Sequence, residues 1–123
     1  MRKFLIGLAA LTAVMTGLVF AADVGPKADV AALRAAQHQI DPQSLTSAVH
    51  VAGNYALLNW YYIGAGSGSY AFKRSSGERW NVVAGAAGSL FSITLLVQHG
   101  VPASVARQLC SGWPKGSSAC SGF

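Results

Sequence analysis

Between Leu45 and Gly85 short apolar or alternating runs are separated by clusters of turn formers, which is the pattern of strands. Leu45, Ser47, Val49 and Val51 alternate with Thr46, Ala48 and His50. Ala52-Gly53-Asn54 supplies turn formers, and Tyr55 to Gly64 is the longest strand candidate, rich in aromatic side chains. Gly64 to Ser69 reads as a flexible Gly-Ser link. From Ser69 to Arg74, Tyr70 and Phe72 alternate with Ala71 and Lys73; Ser75 to Glu78 predicts a hairpin turn, and Arg79 to Gly85 returns. Parallel neighbours need crossovers of about a dozen residues or more, so connections this short predict an antiparallel meander.

The flanks have helical spacing. Val30, Leu33, Gln37 and Ile40 fall near one face of a segment opened by Pro26 and stopped at Asp41-Pro42, because the residue before proline is pushed out of the α region. Ser89 is placed to cap a helix over Leu90–His99 that ends at Gly100; the β-branched Ile93, Thr94 and Val97 leave a strand open as the alternative. Pro102 opens a last helix with Val105, Leu109 and the cysteine side turned inward. The expected fold is α+β: an N-terminal helix, a four-stranded antiparallel meander and two C-terminal helices packed on one face, with all the helices expected on the same face of the sheet.

The long strand is apolar on both sides, with Tyr55, Leu57, Asn59, Tyr61 and Ile63 on one and Ala56, Leu58, Trp60 and Tyr62 on the other. A sheet with one wet face alternates more cleanly. Either this is a central strand with partly exposed aromatic edges, or Trp60 and Tyr62 belong to a patch that binds a partner, a second copy of the chain included. Lys73, Arg74 and Arg79 flank the hairpin turn. They read as a solvated tip that discourages edge pairing or as a contact for an acidic surface. The expected partner-binding set is therefore Trp60, Tyr62, Lys73, Arg74 and Arg79.

The N-terminus places the chain. Arg2 and Lys3 precede an apolar run from Phe4 to Phe20, followed by Ala21 and Ala22, the layout of a secretory signal peptide over residues 1–21 and a small domain over 22–123. A periplasmic or secreted product, free of the membrane after cleavage, is expected. Of the net charge of +5, Arg2 and Lys3 leave with the signal. The remaining Lys27, Arg34, Lys73, Arg74, Arg79, Arg107 and Lys115 are scattered rather than set in the basic stripe of a nucleic-acid binder. The only cysteines, Cys110 and Cys120, predict a disulfide in an oxidising compartment that closes a Gly-Ser-Pro-rich tail.

Catalytic signatures are absent from the sequence. Asp23, Asp29, Asp41 and Glu78 form no pair for acid–base work, and no Gly-x-Ser-x-Gly elbow occurs. The Gly-Ser link lacks the Gly-Lys-[Ser/Thr] of a phosphate loop and leads into a strand. Both methionines lie in the signal segment and His38, His50 and His99 are scattered, so no metal or other cofactor is expected.

A longer pattern emerges when the pieces are joined. Gly53, Asn54, Tyr55 and Ala56 lead into a Trp60-bearing strand; a Gly-rich link leads to Ala71, Phe72, Lys73 and Arg74; Gly77 and Trp80 return; and Gly100, Val101 and Pro102 open the last helix. This resembles the small exported proteins known as copper uptake system-associated proteins. Those often carry a cysteine after the last strand, where this chain has Ala84 to Ala87. The resemblance implies an association with copper handling. The residues themselves point to a small exported non-enzymatic accessory protein acting through surface contacts with an unknown protein. The alternative is an inhibitor or immunity protein against a cell-envelope hydrolase or toxin, with the Gly-Ser link as a protruding loop.

Overall fold

The computed structural model describes residues 22–76, 78–87, 92–113 and 120. The expected signal segment, Gly77, Ser89 and residues 114–119 lie outside that set. Helix α1 (Lys27–Ile40) precedes strands β1 (Leu45–Ala52), β2 (Tyr55–Tyr61), β3 (Ser67–Arg74) and β4 (Trp80–Ala87), and helices α2 (Ile93–Gln98) and α3 (Ala103–Cys110) follow. The strands pair in chain order, antiparallel throughout, as the short connections require. The fold is α+β with an antiparallel meander.

Three features depart from the expectations. First, the helices do not share a face. Leu57, Ala52, Ala71 and Ala84 pack with Leu96, Val101, Ala106, Leu109 and the cystine, so α2 and α3 lie together on one side. Val49, Val51, Ala56, Leu58 and Phe72 pack with Val30 and Leu33 of α1 on the other. Because alternate residues of a strand point to opposite faces, β2 is apolar on both sides for the plain reason that both sides are covered. The thin stripe of α1 suffices, since it needs to bury only Val30, Leu33 and Gln37.

Second, half of the Gly-Ser link is strand. Ser67, Gly68 and Ser69 pair with Tyr61, Trp60 and Asn59. The buried Asn59 amide donates to the Gly68 carbonyl at 2.8 Å and to Ser69 Oγ at 3.2 Å, which holds a segment of low strand propensity in register. Third, α2 is six residues long and is capped by Ser92, whose Oγ accepts from the Leu95 N–H at 3.2 Å.

The cystine Cys110–Cys120, with Cα atoms 5.4 Å apart, anchors residue 120 in the α2–α3 core. At the far edge, Val24 bridges His50 in parallel, giving and taking bonds at Val49 O (3.0 Å) and Val51 N (2.7 Å). Asp23 accepts from the Val49 N–H at 2.9 Å and pairs with Arg34 at 2.9 Å. The outer edge of β1 is thus partly closed, whereas no strand among the described residues pairs the outer edge of β4.

A candidate partner-binding groove on the aromatic face

Tryptophan opposite glycine sets the shape of the α1 side of the sheet. Trp60 on β2 pairs with Gly68 on β3, and a Cβ at Gly68 would come within 2.4 Å of the indole Cζ2. The indole therefore lies across the neighbouring strand where glycine leaves it bare. The arrangement repeats one strand further on: Tyr70 pairs with Gly85, where a Cβ would meet the ring at 2.8 Å. Tyr62, Trp60, Tyr70 and Phe72 form a row with successive ring centroids 5.6, 6.2 and 6.2 Å apart. Within this row Phe72 is buried and the other rings are half-buried.

Helix α1 covers the β1 side of this face and turns small residues toward β4. Between them runs an open groove of about 290 Å³ lined by Ala36, Gln39, Ile40, Phe72, Trp80, Asn81 and Val82. It continues past Trp80 to Ala32, Glu78 and Arg79. Its lips are apolar, with Ile40 45% and Val82 43% exposed. Charge enters only at the mouth, through Glu78 and Arg79. An apolar floor with polar ends has the shape and chemistry that suit the grip of a peptide-like segment.

The five residues expected to bind a partner do not converge. Trp60 and Tyr62 sit together at one end, and the Tyr62 hydroxyl donates to the Asp41 carboxylate, tying the chain after β2 to the end of α1. Arg74 lies at the other end and is engaged internally. It pairs with Asp29 at 2.8 Å, donates to the Gly53 carbonyl at 2.9 Å and stacks 4.7 Å from the Trp80 ring centroid. It locks the N-terminal turn of α1 to the β1–β2 hairpin. Lys73 points to the opposite face, its Nζ 5.8 Å from the Tyr55 ring. Arg79 alone among the basic residues lines the groove. The residues that sequence reasoning passed over are Trp80, Val82 and Ile40. Their signal was an exposed apolar position on each of two elements that periodicity could not place side by side.

Among the histidines, His38 and His99 are exposed and His50 is buried. The His50 Nε2 lies 3.0 Å from the Ala22 carbonyl, and the ring stacks on Trp113 with centroids 4.2 Å apart. Burial pushes its pKa below the usual 6.5, against the pull of the Ala22 and Leu109 carbonyls, Asp23 and the Ser111 carbonyl. Among the described residues no three His, Cys, Asp or Glu side chains gather as a metal site, and no helix is long and apolar enough to cross a membrane. The chain matches no protein-family model, no curated protein and no solved structure.

Proposed function

We propose that this is a small exported, non-enzymatic accessory protein that works by holding an apolar segment of a partner protein in the groove between α1 and β4. The observation that carries the reading is the pair of exposed apolar lips, Ile40 and Val82, over a floor built by Phe72 and Trp80. Trp60 and Tyr62 extend the same face, and Arg79 at the mouth selects an acidic flank on the segment. Export is supported by the disulfide, which forms and persists in oxidising compartments.

The test is capture and measurement. The immobilised protein is exposed to an envelope extract of the source cells, and a captured protein is purified and titrated by calorimetry. Ile40→Asp places a charge on the lip without entering the core and is expected to weaken binding by about tenfold or more. Unchanged affinity for Ile40→Asp would remove the groove from the account.

One observation favours the inhibitor reading as a second choice. Ile63 at the β2–β3 tip is 83% exposed, in a loop held by the Tyr62 N–H to Gly66 O bond at 2.9 Å. If that tip plugs an envelope hydrolase, the protein inhibits lysozyme-type activity and Ile63→Asp abolishes the inhibition. No inhibition by the wild type sinks that reading. The copper association implied by the resemblance is tested by titrating copper into the protein under absorption spectroscopy. No stoichiometric binding is expected, and a site lost on substitution of His38, His50 or His99 would overturn the groove-based proposal.

A further inference from the structure

We infer that β4 is a self-pairing edge and that two copies of this chain join through it into one eight-stranded antiparallel sheet. The inference does not depend on what the groove holds.

Among the described residues β4 is one of the two outer strands of the sheet, and unlike β1 it has no further segment bridged to it. Over Trp80–Ala87 it reads Trp-Asn-Val-Val-Ala-Gly-Ala-Ala, eight residues with no charge and no proline. Charges, prolines, bulges and covering loops are the devices that keep an edge from pairing; β4 carries no charge and no proline, and its one bulge, at Val83, is met by placing it on the two-fold axis. The strand next to it holds Lys73 and Arg74, but Lys73 stands over Tyr55 and Arg74 is bound to Asp29 and Gly53.

The pattern along β4 selects a second copy as the occupant. The ladder with β3 shifts by one residue, with Ala84 opposite Ala71 and Val82 opposite Phe72, so Val83 is the extra residue of a bulge. Trp80, Val82, Gly85 and Ala87 pair with α1-side positions of β3. Asn81, Val83, Ala84 and Ala86 fall on the α2–α3 side, where Val83, Ala84 and Ala86 pack. Paired residues in an antiparallel ladder point to the same face. Self-pairing that sets Trp80 opposite the partner's Ala87 also sets Asn81 opposite Ala86, Val82 opposite Gly85 and Val83 opposite Ala84. Every pair then matches face to face. Shifting this register by two residues in either direction sets one pair on mismatched faces, because the bulge must lie on the two-fold axis.

In the same register each larger side chain of one copy meets a small one of the other. The bulky half of the strand faces the Ala-Gly half, so nothing clashes, and Val82 stands beside the partner's glycine, which leaves it on the lip of the groove. A two-fold contact brings like elements together, and an uncharged strand brings no like charges into register. The paired edge is about 27 Å long at 3.4 Å per residue. That falls toward the small end of specific interfaces, so the dimer should dissociate in the micromolar range or weaker. Both α1–β4 grooves then open on the same surface of the joined sheet.

Sedimentation equilibrium of the purified protein from about 10 µM to 1 mM is expected to show the mass rise toward double. Val82→Lys abolishes the rise with the thermal midpoint retained, whereas Ile40→Asp, which alters the groove away from the edge, leaves it intact. The register is read by cross-linking: Asn81→Cys copies mixed with Ala86→Cys copies form a covalent dimer under oxidising conditions at least tenfold more than either variant alone. A monomer mass across the whole range overturns the inference, as does cross-linking that is equal in the mixed and separate samples.

Discussion

The two faces of this sheet solve the same burial problem with opposite side-chain choices. On the α2–α3 side the strands present small residues, Ala52, Ala71 and Ala84 around Leu57. The helices come down close, and Leu96, Val101, Ala106, Leu109 and both half-cystines are buried. On the α1 side the strands present Trp60, Tyr70, Phe72 and Trp80 under a single helix. The Trp60 and Tyr70 rings lie against Gly68 and Gly85, and Trp80 extends the row to the edge strand. Small strand residues and a covalent closure make a sealed core; large rings and one helix make a core with an open flank. The flank is where a surface function has room.

The sealed face should fail first when its closure is removed. Replacing Cys110 and Cys120 by serine opens a loop of sequence separation 10, which the chain-entropy model values at about 2–3 kcal/mol. For a domain of this size that lowers the melting midpoint by roughly 10–20 °C in a calorimetric scan. The α1 face should be affected only through global stability, so the ratio of Trp60 to Trp113 burial, read by quenching below the midpoint, changes at Trp113.

The converse experiment breaks the open face. Gly68→Ala forces a methyl against the indole at 2.4 Å and the Ala86 carbonyl at 2.6 Å. A cost of about 1–3 kcal/mol is expected from overpacking, with a shift in tryptophan emission as the ring is displaced. An unchanged spectrum and stability would mean that the ring does not lie across β3.

A third effect is set by pH and belongs to the sealed side. His50 is held neutral by burial, with a folded pKa below 6.5. Well above 6.5 it is neutral both folded and unfolded and contributes no pH dependence. As pH falls through 6.5 the unfolded chain takes the proton first, so stability declines until the folded pKa is passed and then levels off. Denaturant midpoints across this window check the slope, and His50→Asn is expected to flatten it.

The smallest effect lies at the groove mouth. Glu78 sits at φ 62°, a left-handed conformation that disfavours residues with a Cβ. Glu78→Gly should relieve that strain and change stability by no more than about 1 kcal/mol in the favourable direction, because glycine also loosens the unfolded chain. Equal stability by chemical denaturation would show the two terms cancelling.

Strand order, the antiparallel meander and the three helices were legible because each rests on local spacing. Val49 and Val51 fall on one buried face as their spacing predicts, although a register shift between Thr46 and Ala48 leaves Leu45 exposed and off that face, and Val30, Leu33 and Gln37 recur at helical intervals. What was not legible rests on contacts between distant residues. The Ser67–Ser69 strand looks like a link until Trp60 is seen lying over Gly68 and Asn59 bonding to Ser69. Arg74 looks like a free cation until Asp29, 45 residues earlier, is found beside it. The face each helix chooses follows from packing, although a β2 strand apolar on both sides already argued for cover on both. The groove was invisible for the same reason, since Ile40 and Val82 are joined by nothing local.

The hydrogen bond from His50 to Ala22 and the stacking of His50 on Trp113 place residues 22 and 113 at one corner of the molecule, on the side that also holds Cys120. In an engineered chain trimmed to residues 22–120, a peptide bridge across that corner joins the two ends, and reopening the circle in the Ser75–Arg79 turn breaks one connection and no strand. The topology is therefore suited to permutation, with its new ends emerging beside the groove, where a label or a tethered ligand can be delivered directly.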